Sequence, residues 1–278
     1  MIETPEVALS CVHGTIGDGS RSLFDLACDV LSKLKGDSSF DSREIGGVIA
    51  ATFSHENRFP SLAVRVAAEL GLPNETPAFD LQMACSAYPY AVYLASKLAS
   101  DTGRKILVLH GDVQLRLVDR ADAATGKIFS DAMTASLVSS ITDSSRRSYF
   151  GFLSHADDAL TCTAEGPIRM DGMKVFTFVA TEVRSYLKTF LSNLPNAEAV
   201  DLFLPHQANP YMVRQLAKSL EMTDRLVTLD ERILNPGGAS IPLTIAEGGL
   251  LRSHRGQRAL IAGFGAGYSA SVGLVTLL

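Results

Sequence analysis

The chain has 278 residues, 46% of them apolar, which is enough to bury a large core in one domain or in two halves. Its formal net charge of −5 leaves no electrostatic footprint for nucleic acid. No apolar run approaches the roughly eighteen residues of a membrane span, and the acids within Met1–Ser10 argue against a secretory leader.

Val7–Ile16 is expected to be the first strand, followed closely by a helix at Leu23–Leu34 that stops at Gly36. Gly47–Phe53 is a buried-strand run, and a helix at Ser61–Leu70 is halted by Gly71 and Pro73. The stretch Phe79-Asp80-Leu81-Gln82-Met83-Ala84-Cys85-Ser86-Ala87-Tyr88-Pro89-Tyr90 reads as strand, turn and helix start. Strands at Lys105–Leu109 and Ala135–Ser140 follow. The polar stretch from Asp143 to Met170 is expected to be irregular and to mark the seam between two halves, 1–145 and 146–278. Val175–Leu194 then carries Val179, Val183, Tyr186, Leu187, Phe190, Leu191 and Leu194 on one face of a single long helix. A strand at Ala199–Leu204, a helix at Pro210–Leu220 and strands at Arg258–Phe264 and Ala270–Leu278 complete the chain. Apolar strands alternating with helices imply an α/β fold whose sheets are covered on both faces.

The cysteines Cys11, Cys28, Cys85 and Cys162 are scattered, with no paired spacing for zinc and no disulfide framework. A reducing cytoplasm is the expected compartment, with three of these thiols buried and inert. Cys85 differs in its setting. Pro89 is accepted in the first helical turn, where amides lack intrahelical partners, so the helix starts within a few residues of Cys85. A thiol there lies at the positive end of the helix dipole, where a thiolate is favoured. Taken alone, Cys85 is more readily read as a small buried hydrophobe, the commonest fate of a free cysteine.

Two distant stretches bear on that choice. His206 follows the run Leu202-Phe203-Leu204-Pro205, at a strand end where functional side chains collect in α/β proteins. By itself it could simply cap the next helix. Asn235 precedes Pro236-Gly237-Gly238 and by itself is an ordinary turn residue. Its segment leads into a helix with an early proline, Pro242, as Cys85 leads to Pro89. The echo suggests two related halves delivering a thiol, an imidazole and a carboxamide to one cleft. The other histidines, His13, His55, His110, His155 and His254, share no metal-site spacing and read as structural or exposed.

At these residues the chain resembles the ketoacyl-acyl-carrier-protein synthase III group of thiolase-fold condensing enzymes. Pro205-His206-Gln207-Ala208-Asn209 matches the group's histidine motif in full, and Asn235-Pro236-Gly237-Gly238-Ala239-Ser240 keeps its asparagine and terminal Ala-Ser. Pro77-Ala78-Phe79-Asp80 with Ala84-Cys85 is similar to the nucleophile motif. Asn57-Arg58-Phe59-Pro60-Ser61 is similar to a segment ending at the subunit interface. Phe129-Ser130-Asp131-Ala132, Met170–Phe176 and Phe264-Gly265-Ala266-Gly267-Tyr268 complete the ordered set.

The resemblance implies a thiolase-like five-layered αβαβα fold of two pseudo-symmetric halves. It implies Cys85 as nucleophile, His206 and Asn235 as hydrogen-bond donors to an enolate oxygen, and the amides of Cys85 and Gly267 as an oxyanion hole. It places Phe59 and Gln207 against substrate, Phe59 by reaching into a partner subunit. It also makes the exposed face of Arg214 and Lys218 a docking site for an acidic carrier protein, with an ordinary solvated helix face as the alternative. The expected partners are acyl carrier protein or acyl-coenzyme A thioesters and a second subunit, identical or homologous. No cofactor or metal is expected.

The chain departs from the pattern in a shorter N-terminal part, in the absence of any tryptophan, and at Met83, Ser130, Ala132 and Pro236–Gly238. These changes point to a specialised fatty acid or polyketide pathway and to delivery of the acyl group by a carrier protein or a partner subunit. Three alternatives stay open: acyl transfer without decarboxylation, a non-catalytic partner subunit, and a cysteine hydrolase.

Overall fold

The computed structural model describes residues 1–164, 166–195 and 199–278. The first half runs β1 (Ile2–Gly17), α1 (Leu23–Lys35), β2 (Ile45–Ala51), α2 (Leu62–Glu69), β3 (Ala78–Leu81), α3 (Ala87–Thr102), β4 (Lys105–Asp112) and β5 (Asp131–Ile141). The second continues with β6 (Arg147–Ser154), the short pair β7 (Leu160–Thr161) and β8 (Arg169–Met170), α4 (Gly172–Phe178) and α5 (Arg184–Ser192). It closes with β9 (Leu202–Pro205), α6 (Pro210–Ser219), α7 (Ser240–Glu247), α8 (Leu250–Ser253), β10 (Arg258–Gly265) and β11 (Ser269–Leu277).

Local chemistry sets several of these boundaries. Ser22 and Asp25 form a reciprocal capping box at the start of α1, their side chains taking each other's amide hydrogens at 3.0 and 3.1 Å. Asn209 caps α6 by accepting from the Met212 amide at 2.8 Å, with Pro210 as the first helical residue.

The strand order repeats. In the first half it is β3-β2-β4-β5-β1, with β3, β2 and β4 parallel and β5 and β1 reversing in turn. The second half shows β9-β10-β11-β6 with the same directions, and Leu226 bridges Phe203 in parallel where the repeat calls for a further strand. The long β1 joins the two, pairing with β5 over Glu6–Gly17 and with β6 over Ile2–Pro5.

Alternate residues of the buried strands face opposite layers, as the pleat requires. Val48, Ala50, Leu107 and Leu109 pack outward on α1 and α2, while Ile49, Ala51, Ile106 and Val108 pack inward on α3. The second half does the same, with Leu260, Ala262 and Phe264 facing the α4–α6 side and Ala259 and Ile261 facing the centre. Helices α3 and α7 lie between the halves, each touching strands of both. The layering is αβαβα, the thiolase fold.

Two expectations need correction. Asp143–Met170 is not irregular throughout: its Arg147–Ser154 is the buried strand β6, paired to both β1 and β11. Glu165 within it lies outside the described residues. The long helix is interrupted by a π turn at Val179–Val183, which buries Val175, Phe178, Val179, Val183, Leu187 and Phe190 in one cluster.

Candidate active site

Cys85 is the middle residue of a tight turn, Ala84–Ser86, between β3 and α3. Ala84 takes the left-handed conformation (φ 42°), which aims the next residue back over the sheet. The Ser86 hydroxyl donates to the Met83 carbonyl at 2.9 Å, and Ser271 on β11 donates to the Ser86 carbonyl at 2.6 Å. Strand β10 comes unusually close. A Cβ on Gly263 would lie 2.8 Å from the Cys85 carbonyl oxygen, and one on Gly265 would lie 3.6 Å from Cys85 Sγ.

His206 leaves β9 with its amide donating to the Ala262 carbonyl at 2.7 Å and its ring edge-on to Phe264. Its Nδ1 is 2.8 Å from Ser240 Oγ, which also accepts from the Gln207 amide at 3.1 Å. That leaves Nε2 as the ring nitrogen for a substrate, with the Gly237 carbonyl also acting on the ring. Gln207 turns inward, its amide donating to the Pro205 carbonyl at 2.7 Å.

Asn235 is pinned through its backbone. Its amide donates to the Ile128 carbonyl at 2.9 Å and its carbonyl accepts from Ser130 at 3.0 Å and from the Gln114 side chain at 3.3 Å. The Phe129–Ala132 stretch therefore acts as a clamp on the Asn235 turn. Asn235 Oδ1 accepts from the Gly237 amide at 2.9 Å, so the end of the carboxamide left over is its NH₂ donor.

Cys85, His206, Asn235, Gln207, Phe264 and Gly265 line one cavity of about 310 Å³. A second, of about 1010 Å³, shares Cys85, Phe129 and Leu160 with the first and takes in Gly267. Cys85 thus stands at the junction of two chambers. Cys162, expected to be buried and inert, is instead exposed on the wall of the larger one. Phe59 is 86% exposed and lines neither chamber of its own chain. Arg214 and Lys218 are exposed on α6, Arg214 paired with Glu231 at 2.8 Å.

Burial dominates the electrostatics. It pushes the Cys85 thiol up to about 12, with the charge of Asp112 adding to the effect. A helix dipole is worth at most about 2 kcal/mol in partly buried geometry, so burial works against the thiolate that the helix start favours. Burial likewise pushes His206 down to about 4, leaving a neutral imidazole. It raises Asp112 to about 6 against hydrogen bonds from Thr52, Phe53 and Ser54.

Sequence reasoning passed over Ser240, Gln114 and Asp112, and read His110 only as structural or exposed, where it is fully buried. Ser240 lies within a motif already singled out, with no role attached to it. The available signal for the β4 pair was periodicity, since His110 and Asp112 continue the inward face of Ile106 and Val108. Among the described residues no cluster suits a metal, and no helix is long and apolar enough to cross a membrane.

Residues 79–157 match the family described as 3-oxoacyl-[acyl-carrier-protein (ACP)] synthase III, and residues 193–277 match its C-terminal region. The beta-ketoacyl-[acyl-carrier-protein] synthase III of Streptococcus sanguinis is 30% identical over 91% of this chain and 84% of that protein. The Rickettsia bellii protein of the same name is 31% identical over 87% and 80%. A 3-oxoacyl-(acyl-carrier protein) synthase from Burkholderia xenovorans LB400 superposes with a TM-score of 0.89 over 99% of this chain and 95% of that one, at 22% identity. With this fold and these relatives, the chain belongs to the 3-oxoacyl-acyl-carrier-protein synthase III family of condensing enzymes.

Proposed function

We propose that the chain is an acyltransferase that joins an acyl group to a malonyl-type thioester by decarboxylative condensation. The reading is supported above all by the convergence of Cys85, His206 and Asn235 on one cavity, with the imidazole and carboxamide each held at one end.

In the first half-reaction Cys85 Sγ attacks the carbonyl carbon of an acyl thioester. The oxygen charge is taken by the amides of Cys85 and Gly267, donors typically worth about 2.7–4 kcal/mol each. The C–S bond to the carrier breaks, and the proton of Cys85 leaves on the carrier thiol, so none is gained or lost. In the second, the malonyl C–C bond to its carboxylate breaks and carbon dioxide departs. His206 Nε2 and the Asn235 NH₂ hydrogen-bond the enolate oxygen. The enolate carbon attacks the acyl-Cys85 carbonyl, and the sulfur leaves and takes up one proton. Asn235 suits this role because a carboxamide donates without ionising.

Within this reading Gln207 and Phe59 contact substrate, Phe59 from a second identical or homologous subunit. Arg214 and Lys218 receive an acyl carrier protein, with acyl-coenzyme A as the other thioester donor. The two halves divide at 145/146, the compartment is cytoplasmic, and the pathway is a specialised fatty acid or polyketide one, with no cofactor.

Intact-mass analysis tests the reading. An acyl adduct should form with an acyl carrier protein or acyl-coenzyme A donor and vanish in Cys85→Ala. Malonyl carrier protein should then release carbon dioxide, and Asn235→Ala should abolish that release. An adduct without carbon dioxide release would move the assignment to acyl transfer alone; no adduct with any donor would move it to a non-catalytic subunit.

A further inference from the structure

The mechanism above leaves one buried imidazole unused. His110, on β4, is fully buried and stacks on Tyr88 of α3 with ring centroids 5.8 Å apart. Among the described residues neither ring nitrogen finds a hydrogen-bond partner of normal geometry. Leaving buried polar atoms unpaired costs about 1–3 kcal/mol, so His110 is a poor choice for stability alone.

Its neighbours explain the position. A Cβ on Gly238 would collide with Nε2 and Cε1 of His110 and would lie 2.8 Å from the Ala84 carbonyl oxygen. Ala84 opens the turn that carries Cys85, and Gly238 is the middle residue of the turn Gly237–Ala239 that follows Asn235. The imidazole edge, the Ala84 carbonyl and the Gly238 backbone converge on one point.

Pseudo-symmetry sharpens the contrast. β4 and β10 are both eight residues long, and the sixth residue is His110 in one and Gly263 in the other. Gly263 meets the Cys85 turn backbone to backbone. At the related crossing the glycine has moved to the turn, as Gly238, and the strand supplies a side chain. His110 and Gly238 thus belong together, which accounts for part of the departure at Pro236–Gly238.

We propose that His110 is a positioning residue for condensation: an uncharged imidazole wedged between the Cys85 turn and the turn after Asn235, fixing their separation. Burial and the nearby His206 push its pKa down to about 3, against the pull of the Ala84 carbonyl, so the wedge stays neutral at working pH. The inference rests on the condensation reading. Acylation needs only the first turn and its oxyanion donors, whereas condensation needs both turns in register, and a misplacement of about 1 Å can cost about 10²-fold.

The test compares half-reactions in His110→Ala and His110→Asn, the second being polar yet too short to reach the other turn. Acylation of Cys85, followed by intact mass, should stay within about threefold of the parent, and carbon dioxide release from the acylated enzyme should fall at least about tenfold. The KM for the malonyl thioester should stay within about threefold. Circular dichroism identifies any variant that does not fold, and the folded one then carries the comparison. If neither folds, or if both half-reactions fall together or neither falls, His110 is structural and the proposal is overturned. A parent enzyme that acylates but never releases carbon dioxide overturns the condensation reading, and this inference with it. A competent parent whose variants show no split overturns this inference alone.

Discussion

Ser240 Oγ stands 2.8 Å from His206 Nδ1 and holds the Gln207 amide at 3.1 Å, so a single hydroxyl on the first residue of α7 orients the imidazole delivered by β9. The two residues come from different elements, β9 and α7, and the bond forms only when those elements pack together. Ser240→Ala should unpair the ring and leave a buried amide without its acceptor. A stability loss of about 1–3 kcal/mol is expected from thermal denaturation. Condensation should slow at least about tenfold as the ring swings. An unchanged rate would mean that the β9 backbone alone orients His206.

The burial of Cys85 sets its pH behaviour. With the thiol pushed up to about 12, its thiolate fraction rises about tenfold per pH unit over the whole neutral range. Alkylation of the resting enzyme by iodoacetamide should therefore climb with unit slope between about pH 7 and 9, without a plateau. A plateau below about pH 8 would reveal a resting thiolate. Because His206 is pushed down to about 4 and is neutral throughout, kcat should show no acid limb near about 6.5.

Asp112 contributes through its charge. Its Oδ1 accepts from Thr52 Oγ1 at 2.7 Å, Phe53 N at 2.8 Å, Ser54 Oγ at 3.0 Å and Ser54 N at 3.1 Å, while Oδ2 is buried with no partner among the described residues. Its folded pKa of about 6 lies above the unfolded value of about 3.9. Between those two values the folded chain binds more protons, so stability falls as pH rises and the cost is complete above about 6. Asp112→Asn should abolish that decline, an effect on the order of 3 kcal/mol at neutral pH read from denaturation at several pH values. Because the carboxylate also raises the Cys85 thiol, the variant should alkylate faster at about pH 8. Slower alkylation would contradict the assigned sign.

Much of this site was legible before any coordinates. Pro89 and Pro242 suggested matching halves, and each is the third residue of its helix, α3 and α7, directly after a short turn. The motifs around Cys85, His206 and Asn235 carried the family because each is a short run of adjacent residues; Cys85 and His206 follow strands β3 and β9, whereas Asn235 follows a helical turn at Glu231–Ile233 and no strand. β6 was missed because polar flanks at Asp143–Arg146 and His155–Asp158 concealed the core run Ser148-Tyr149-Phe150-Gly151. His110 and Ser240 could not be assigned roles, since His110 acts across the interface between halves, Ser240 joins α7 to the end of β9 within the second half, and no local pattern encodes either packing. A helix start near Cys85 shows in sequence, whereas the depth of burial that raises its thiol does not.

The face of α6 offers a last test, because it separates the two possible donors. Arg214 reaches Glu231, a wall residue of the smaller chamber, at 2.8 Å, and Lys218 follows one turn later. Exposed pairs of this kind are worth about 0–1 kcal/mol, so reversing both charges leaves the fold intact. Arg214→Glu with Lys218→Glu should raise KM for a carrier-bound acyl donor about tenfold at low salt, while the coenzyme A thioester of the same acyl group is little affected. The difference should shrink in about 0.5 M salt, where the screening length falls to a few ångströms. An equal rise for both donors would place the defect inside the chamber. No rise for either would leave α6 a solvated face, and carrier recognition would have to come from elsewhere on the rim.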